Sequence, residues 1–462
     1  MKIMVYDLIV LGGGPGGYHG ALQAASNNLK TLLIEKDKLG GVCLNEGCIP
    51  TKTLLQSAKV YHHALHSEVL GVTASNVEYH HEKVLKRKNE VSAQLRSGIR
   101  SQLKASGVEV IEGYGQILRR QADGFLVGIG DVMVKGKRLL LATGASSVIP
   151  PIPGIREALD QGIALTSREI LDIPDIPESL TIIGGGVIGL EMAEYFAKTG
   201  SRVTVIEMQN QIGGPIDSEI SSTFLKILKQ KGIQFELNAK VQSIDQHQVT
   251  YEKQGKTFRV DSEYILVCTG RKPNIENLGL EAIGVETIKG CVSTDETGQT
   301  NIPNVYAVGD LNGKSMLAHT AYREAEVCIQ TILGKKEQMR YHSIPAVIYT
   351  TPEVAYVGET EESAIAKGID YAKVNLPLNY SGRYVVEQGD RNGFIKIVID
   401  KKYNQIIGVH ILGNYASEII YGAAMMLETE MRTSDIEQLV FPHPSVSEVI
   451  KDAIHQYIKI GG

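Results

Sequence analysis

The stretches Asp7–Asp37, DLIVLGGGPGGYHGALQAASNNLKTLLIEKD, and Leu180–Gln209, LTIIGGGVIGLEMAEYFAKTGSRVTVIEMQ, decide the fold. Each reads as an apolar strand, a glycine-rich turn, a helix and a second strand ending in glutamate. They align without a gap: Gly12, Gly14 and Gly17 fall on Gly184, Gly186 and Gly189, and Glu35 falls on Glu207. One βαβ unit is therefore present twice. Its first glycine allows the tight turn, the second lets a pyrophosphate approach the backbone, and the third lets helix pack on strand. The helix amides and dipole then face the phosphates. A single G-x-G-x-x-G is a weak signal and also fits an unliganded turn. Two copies, each between strand and helix and each meeting a carboxylate, predict two dinucleotide sites.

Glu35 and Glu207 are placed to accept hydrogen bonds from an adenosine ribose, and a 2′-phosphate would meet a repelling charge there. After Glu207 comes MQNQ, without Arg or Lys, so the second site is expected to prefer NAD over NADP; Arg202, on the preceding strand, is the one opposing feature. The glycine turns in RLLLATGA (Arg138–Ala145) and EYILVCTGRKPN (Glu263–Asn274) read as exits between domains. The second unit is thus expected to be inserted within the first, which resumes near Lys272 and continues past NVYAVGDLNG. A Walker-type loop at GKS would need glycine where Val308 stands.

At 462 residues the chain has room for two to four domains. Its net charge of −5 offers no basic field for nucleic acid. The first strand-like run begins at Tyr6, leaving no space for a leader, and no apolar run reaches the roughly 18 residues of a membrane span. Five cysteines in so long a chain do not make an extracellular disulfide framework. These features point to a cytoplasmic protein bound neither to nucleic acid nor to membrane.

Two of the cysteines stand in GGVCLNEGCIPTKT (Gly40–Thr53). Zinc would need a second pair or spaced histidines, and no metal site is expected. On a regular helix, residues five apart have Cα atoms about 8.7 Å apart, and a disulfide tolerates less than about 7 Å. Cys43 and Cys48 can therefore bridge only across an irregular helix start, for which Gly40, Gly41 and Gly47 supply the backbone freedom. A helix N-terminus and Lys52 would favour thiolate. The competing reading is two small buried hydrophobes; a preceding dinucleotide unit favours redox chemistry. His62 and His66 in YHHALH have ligand spacing but read as a polar helix face, and the basic run His80–Gly107 as a long solvated helix. Nothing marks Cys268, Cys291 or Cys328 as reactive.

GGVCLNEGCIPTK, VYAVGD (Val305–Asp310) and FPHPSVSE (Phe441–Glu448) resemble the redox-disulfide box, second flavin motif and C-terminal acid-base motif of the pyridine nucleotide-disulfide oxidoreductases, most closely of their dihydrolipoamide-oxidising branch. The resemblance covers nearly the whole chain; Val42, Glu46, Thr51 and Phe441 vary spacer positions only. It implies an α/β fold with two Rossmann-like dinucleotide-binding domains and a C-terminal α+β dimerisation domain. The expected division is 1–145 for FAD, 146–271 for NAD, 272–342 completing the FAD site and 343–462 for the dimer interface. FAD would lie on Gly12, Gly14, Gly17 and Glu35, and NAD on Gly184, Gly186, Gly189 and Glu207.

By the same resemblance, Cys43 is the thiol that exchanges with substrate and Cys48 the thiol beside the flavin, the two forming the redox disulfide. Lys52 lies near the flavin N5 and pairs with Glu191 close to the nicotinamide. Asp310 holds the ribityl chain, helped by Gly115, Thr143, Gly144, Met316, Leu317, Ala318 and His319, while Val241 and Gly270 line the NAD site. His443, oriented by Glu448, is the acid-base group, reaching the disulfide of the other subunit of a homodimer, and the prolines around it allow a cis bond. Electrons would pass reversibly from a dihydrolipoyl thiol through the disulfide and FAD to NAD+. The dihydrolipoyl group would be carried by an acyltransferase subunit or a glycine-cleavage carrier protein. A glutathione-type reductase and a flavin-containing scaffold subunit are the alternatives.

Overall fold

The computed structural model describes residues 3–388 and 392–459. Strands Leu8–Leu11 and Thr31–Glu35 are buried at every position, the pattern of a parallel sheet covered on both faces. They form the middle of a five-stranded parallel sheet ordered Val305–Ala307, Leu139–Leu141, Leu8–Leu11, Thr31–Glu35 and Glu109–Glu112. The second unit repeats the inner four positions with Tyr264–Val267, Ser179–Ile183, Arg202–Ile206 and Gln234–Glu236, while its outer strand, Ala164–Leu165, precedes the glycine strand in the chain. Each unit also carries a second sheet, mixed and including Gly115–Gln121 in one, antiparallel and including Ala239–Asp245 in the other.

The outer strand Val305–Ala307 of the first sheet comes from beyond the whole second unit and pairs in parallel with Leu139–Leu141. The chain leaves and re-enters the first unit side by side, because Ala145–Ser147 pairs antiparallel with Arg271–Pro273. The C-terminal part is a five-stranded antiparallel sheet, Ala346–Ile348, Val354–Gly358, Gln405–Leu412, Phe394–Asp400 and Tyr371–Pro377. The apolar faces of Ala416–Glu428 and Val449–Lys459 complete its core. The expected fold class, two Rossmann-like units and an α+β domain, is the one observed.

The parts are welded rather than tethered. One continuous core contains Leu54, Leu55 and Ala58 of the thiol-bearing helix, Leu190, Tyr195 and Phe196 of the second unit, and Ile348, Val354 and Leu412 of the C-terminal sheet. A buried charge cluster adds to it. Lys396, 1% exposed, places Nζ 3.0 Å from both oxygens of Asp217, 2.8 Å from Glu219 Oε2 and 2.5 Å from Glu361 Oε1. Asp217 also caps Ser218–Gln230, accepting from the amides of Glu219 at 3.0 Å and Ile220 at 3.2 Å.

Because removing one member of a buried ion pair strands the other, Lys396→Met should lower stability by about 3 kcal/mol. The effect would be read as a lower thermal midpoint, partly restored by adding Asp217→Asn.

Candidate functional site

The thiol segment owes its shape to three glycines. Gly40 and Gly41 adopt left-handed backbone (φ 96° and 59°), which side-chain-bearing residues disfavour. Gly47 then separates the short helix Gly41–Glu46 from Cys48–Leu65. The two cysteines therefore lie on different helices, and the regular-helix separation does not apply. Both are free thiols, and they hydrogen-bond to each other.

Their environments push them apart. The hydrogen bond from Cys43, aided by the Lys52 ammonium, outweighs burial and pulls the Cys48 thiol down to about 7. The same bond and burial push Cys43 well above the usual thiol range. The reduced pair thus keeps a proton on Cys43 and charge on Cys48, at the first residue of its helix, where the dipole favours an anion.

Lys52 lies one turn beyond Cys48 and reaches across to the second unit. Its Nζ lies 2.7 Å from Oε2 of Glu191 on the helix Val187–Lys198. Glu191 is 3% exposed and is completed by the backbone N–H of Tyr349, 2.9 Å from Oε1. The Tyr349 ring lies under the ammonium, 4.5 Å from Nζ to centroid.

The two glycine turns are near-copies. A Cβ on Gly12 (φ 103°) would lie 2.3 Å from the Ala142 carbonyl oxygen, and one on Gly184 (φ 112°) 2.3 Å from that of Cys268. Cβ atoms on Gly17 and Gly189 would strike the carbonyls of Gly12 and Gly184. At Gly186 a Cβ would meet nothing within 4 Å, leaving the backbone open to a ligand. Glu35 accepts from the amides of Gly13 at 2.6 Å and Asp37 at 2.8 Å; Glu207 accepts from Gly185 at 2.6 Å and Gln209 at 2.7 Å. Each carboxylate thus clamps its own turn and keeps lone pairs for a ribose hydroxyl.

Beside Glu207 is a cavity of about 290 Å³ lined by Gly186, Gln209, Asn210, Gln211 and Gly214, without a cation. Arg202 begins the strand that ends beside Glu207, so at about 3.3 Å per residue it stands roughly 16 Å away. The open backbone, free acceptors and absence of lining cations suit NAD, and the matching turn of the first unit suits a second dinucleotide.

The remaining residues expected on the flavin side come from four segments. Thr143 and Asn274 exchange hydrogen bonds, Oγ1 to the Asn274 carbonyl and Nδ2 to the Thr143 carbonyl, each 2.9 Å. Gly144 lies in the same junction, its carbonyl accepting from the Asn274 amide at 2.9 Å. Asp310 lies 3.5 Å from Arg271 Nε, and burial, outweighing that guanidinium, raises its carboxyl above the usual range. Met316 and Leu317 lead into the helix Ala318–Ile332, whose His319 donates from Nε2 to the Pro345 carbonyl at 2.7 Å. Gly115 opens its strand where a Cβ would lie 2.7 Å from Leu11 Cδ2. In the second unit the Val241 side chain is buried in the core, so only its backbone can face a ligand, whereas Gly270 borders open space.

At the far end of the chain His443 Nδ1 and Glu448 Oε2 are 2.9 Å apart; the imidazole is 79% exposed and the carboxylate 16%. The His443–Pro444 bond is cis. The His62 and His66 rings stack at 4.2 Å, and among the described residues no group of three His, Cys, Asp or Glu is placed to hold a metal. No helix among them is long and apolar enough to cross a membrane. The basic helix His81–Ala105 buries only Lys88, Ser92 and Leu103. Burial alone raises Cys268, to about 12.

Two contributors have no motif of their own. Tyr349 is one. Glu324 is the other: 2% exposed, it accepts from the Gly309 amide at 2.5 Å, from Asn312 Nδ2 at 2.9 Å and from Tyr341 OH at 2.7 Å, and so holds the turn carrying Asp310. A carboxylate in the apolar stripe of Ala318–Ile332, between Ala321 and Cys328, is the signal that would have exposed it.

Two family profiles match: pyridine nucleotide-disulphide oxidoreductase over residues 6–325 and the dimerisation domain of the same family over 344–454. Dihydrolipoyl dehydrogenase of Bacillus subtilis (strain 168) is 37% identical over 464 residues, covering 97% of this chain and 97% of its own. Leghemoglobin reductase of Vigna unguiculata is 37% identical over 457 residues, covering 97% of this chain and 86% of its own. Among solved structures, the HOCl-induced flavoprotein disulfide reductase RclA from Escherichia coli superposes with a TM-score of 0.85 at 27% identity, covering 97% of this chain and 99% of its own.

Since thiolate is the nucleophile, alkylation of Cys48 in the reduced protein should accelerate as pH rises through about 7. Lys52→Met, by removing the nearby cation, should move that midpoint up by about one unit. Peptide mapping after timed iodoacetamide treatment reads both.

Proposed function

The chain belongs to the pyridine nucleotide-disulphide oxidoreductase family, and from that premise we propose that it oxidises a protein-bound dihydrolipoyl group to the lipoyl disulfide with NAD+ as acceptor. The observation that carries the proposal is the asymmetric thiol pair, with Lys52 joining the helix of Cys48 to Glu191 of the second unit. Relatives named dihydrolipoyl dehydrogenase over nearly the whole chain favour this substrate.

In this reading His443 of the partner subunit, held by Glu448, takes a proton from one substrate thiol. The resulting thiolate attacks Cys43 Sγ in the Cys43–Cys48 disulfide; the S–S bond breaks and its electron pair leaves on Cys48. The second substrate thiol, deprotonated in turn, displaces Cys43 from the mixed disulfide and closes the lipoyl ring. Cys43 takes up a proton, and Cys48 keeps the negative charge. Two electrons have then moved from substrate to enzyme, and the product state matches the proton placement that the two environments favour. Gly12, Gly14, Gly17, Glu35 and Asp310 would hold FAD, which would supply the two-electron chemistry that links reoxidation of the Cys43–Cys48 pair to hydride transfer to NAD+. Glu207 and the uncharged lining of the second groove select NAD+.

The protein works as a homodimer, supported by the dimerisation domain and the exposed His443. It acts in the cytoplasm, where thiols stay reduced between turnovers. Its partner is a lipoyl-bearing acyltransferase subunit or a glycine-cleavage carrier protein. An NADP-dependent glutathione reductase would need cations where Gln209, Asn210 and Gln211 stand.

The purified flavoprotein should turn over dihydrolipoamide with NAD+, and reduce glutathione disulfide with NADPH at least about a hundredfold less efficiently. Cys48→Ser should abolish turnover, and His443→Gln should lower it by about 10² to 10⁴. Equal use of glutathione, or unchanged rates in both variants, overturns the proposal.

A further inference from the structure

The segment after strand Ala346–Ile348 binds the second unit's helix at two points. The Tyr349 amide donates to Glu191 and the Thr351 amide to Glu194 Oε2 at 2.6 Å. Helix residues three apart share a face, so the two bonds hold this bend to one side of the helix and fix its position. That placement brings the Tyr349 ring, 41% exposed and supplied by the C-terminal domain, to the Lys52 ammonium.

Lysine is a flexible point charge with several rotors. The Lys52 side chain is 33% exposed, and a single ion pair under that much screening holds a rotamer weakly. The aromatic face within about 6 Å attracts the cation from a second direction. We infer that Tyr349 is a positioning residue, whose ring holds the Lys52 ammonium where it favours negative charge on Cys48. The inference rests on the redox reading of the thiol pair. It makes the C-terminal domain, as well as the thiol segment, a determinant of thiolate stability. Burial first, then the nearby Glu353, Glu191 and Cys48, hold the phenol of Tyr349 above its usual range, so the ring stays neutral at working pH.

The test uses the FAD-bound protein carrying Cys43→Ser, in which Cys48 is the only thiol of the pair. Its ionisation is followed by the long-wavelength absorbance of the thiolate against the flavin, and separately by the pH dependence of Cys48 alkylation. Tyr349→Leu should raise both midpoints by about half a pH unit, the equivalent of one exposed cation–π contact. Tyr349→Phe should leave them in place, because it keeps the ring. If Tyr349→Leu does not fold, progressively fluorinated phenylalanine at position 349 should raise the midpoint stepwise as the ring face loses negative potential. Unmoved midpoints in the leucine or fluorinated series overturn the inference, as does an equal rise in Tyr349→Phe, which would assign the effect to the hydroxyl. Absence of any long-wavelength band with FAD bound overturns the redox reading instead, and the alkylation midpoints then still decide whether Tyr349 acts on Cys48.

Discussion

The bond between Lys52 and Glu191 is the constraint from which the site takes its shape. A carboxylate only 3% exposed needs partners for its oxygens. Glu191 finds them in the Lys52 ammonium and the Tyr349 amide, one from each neighbouring domain. Satisfying one buried charge therefore requires the thiol helix, the second unit and the C-terminal sheet to meet at a point. The shared apolar core around Leu54, Leu190 and Ile348 supplies the cohesion, and the carboxylate supplies the register.

The two dinucleotide units solve one problem in the same way and then diverge in their surroundings. Both use a carboxylate at the end of the second strand to clamp the glycine turn. In the first, the thiol segment presses on the turn: a Cβ on Gly41 would lie 2.6 Å from Gly14 Cα. In the second, Gly186 borders open space. A turn covered by the short helix that carries Cys43 suits a resident group, and an uncovered turn suits a dinucleotide that exchanges at every cycle. The asymmetry thus arises from the different segments that the chain packs against each turn, the repeated unit itself being the same in both.

The repeat and the irregular thiol segment were legible in the sequence because each is encoded by spacing within a short stretch, and the His443–Glu448 pairing through the resemblance of FPHPSVSE to a family motif. Glu324 and Tyr349 were not legible in that way. Their partners, Gly309 and Asn312 for one and Glu191 and Lys52 for the other, are assigned by tertiary packing, and local periodicity carries no record of it. Lys396 shows the limit most clearly: it stands in a run, FIKIVID, whose alternation resembles an ordinary strand, and only the folded chain reveals that its ammonium is buried against Asp217. Val241 marks the converse case, a position named through resemblance whose side chain turns out to serve the core.

The unequal protonation of the two thiols is set by where the helix break falls. Gly47 leaves Cys48 to begin a helix of 18 residues, with Lys52 one turn along it, whereas Cys43 sits inside a helix of six residues that contains neither Lys nor Arg. The mutual hydrogen bond drives the two sulfurs in opposite directions, while the ammonium lowers both and the dipole of the longer helix favours charge on Cys48. For a two-electron couple about 1.4 kcal/mol corresponds to 30 mV, so modest electrostatic changes at Cys48 are enough to alter the poise of the pair. Because Lys52 and Glu191, which both act on Cys48, come from different units, the poise of the pair depends on how those units dock as well as on the cysteine motif.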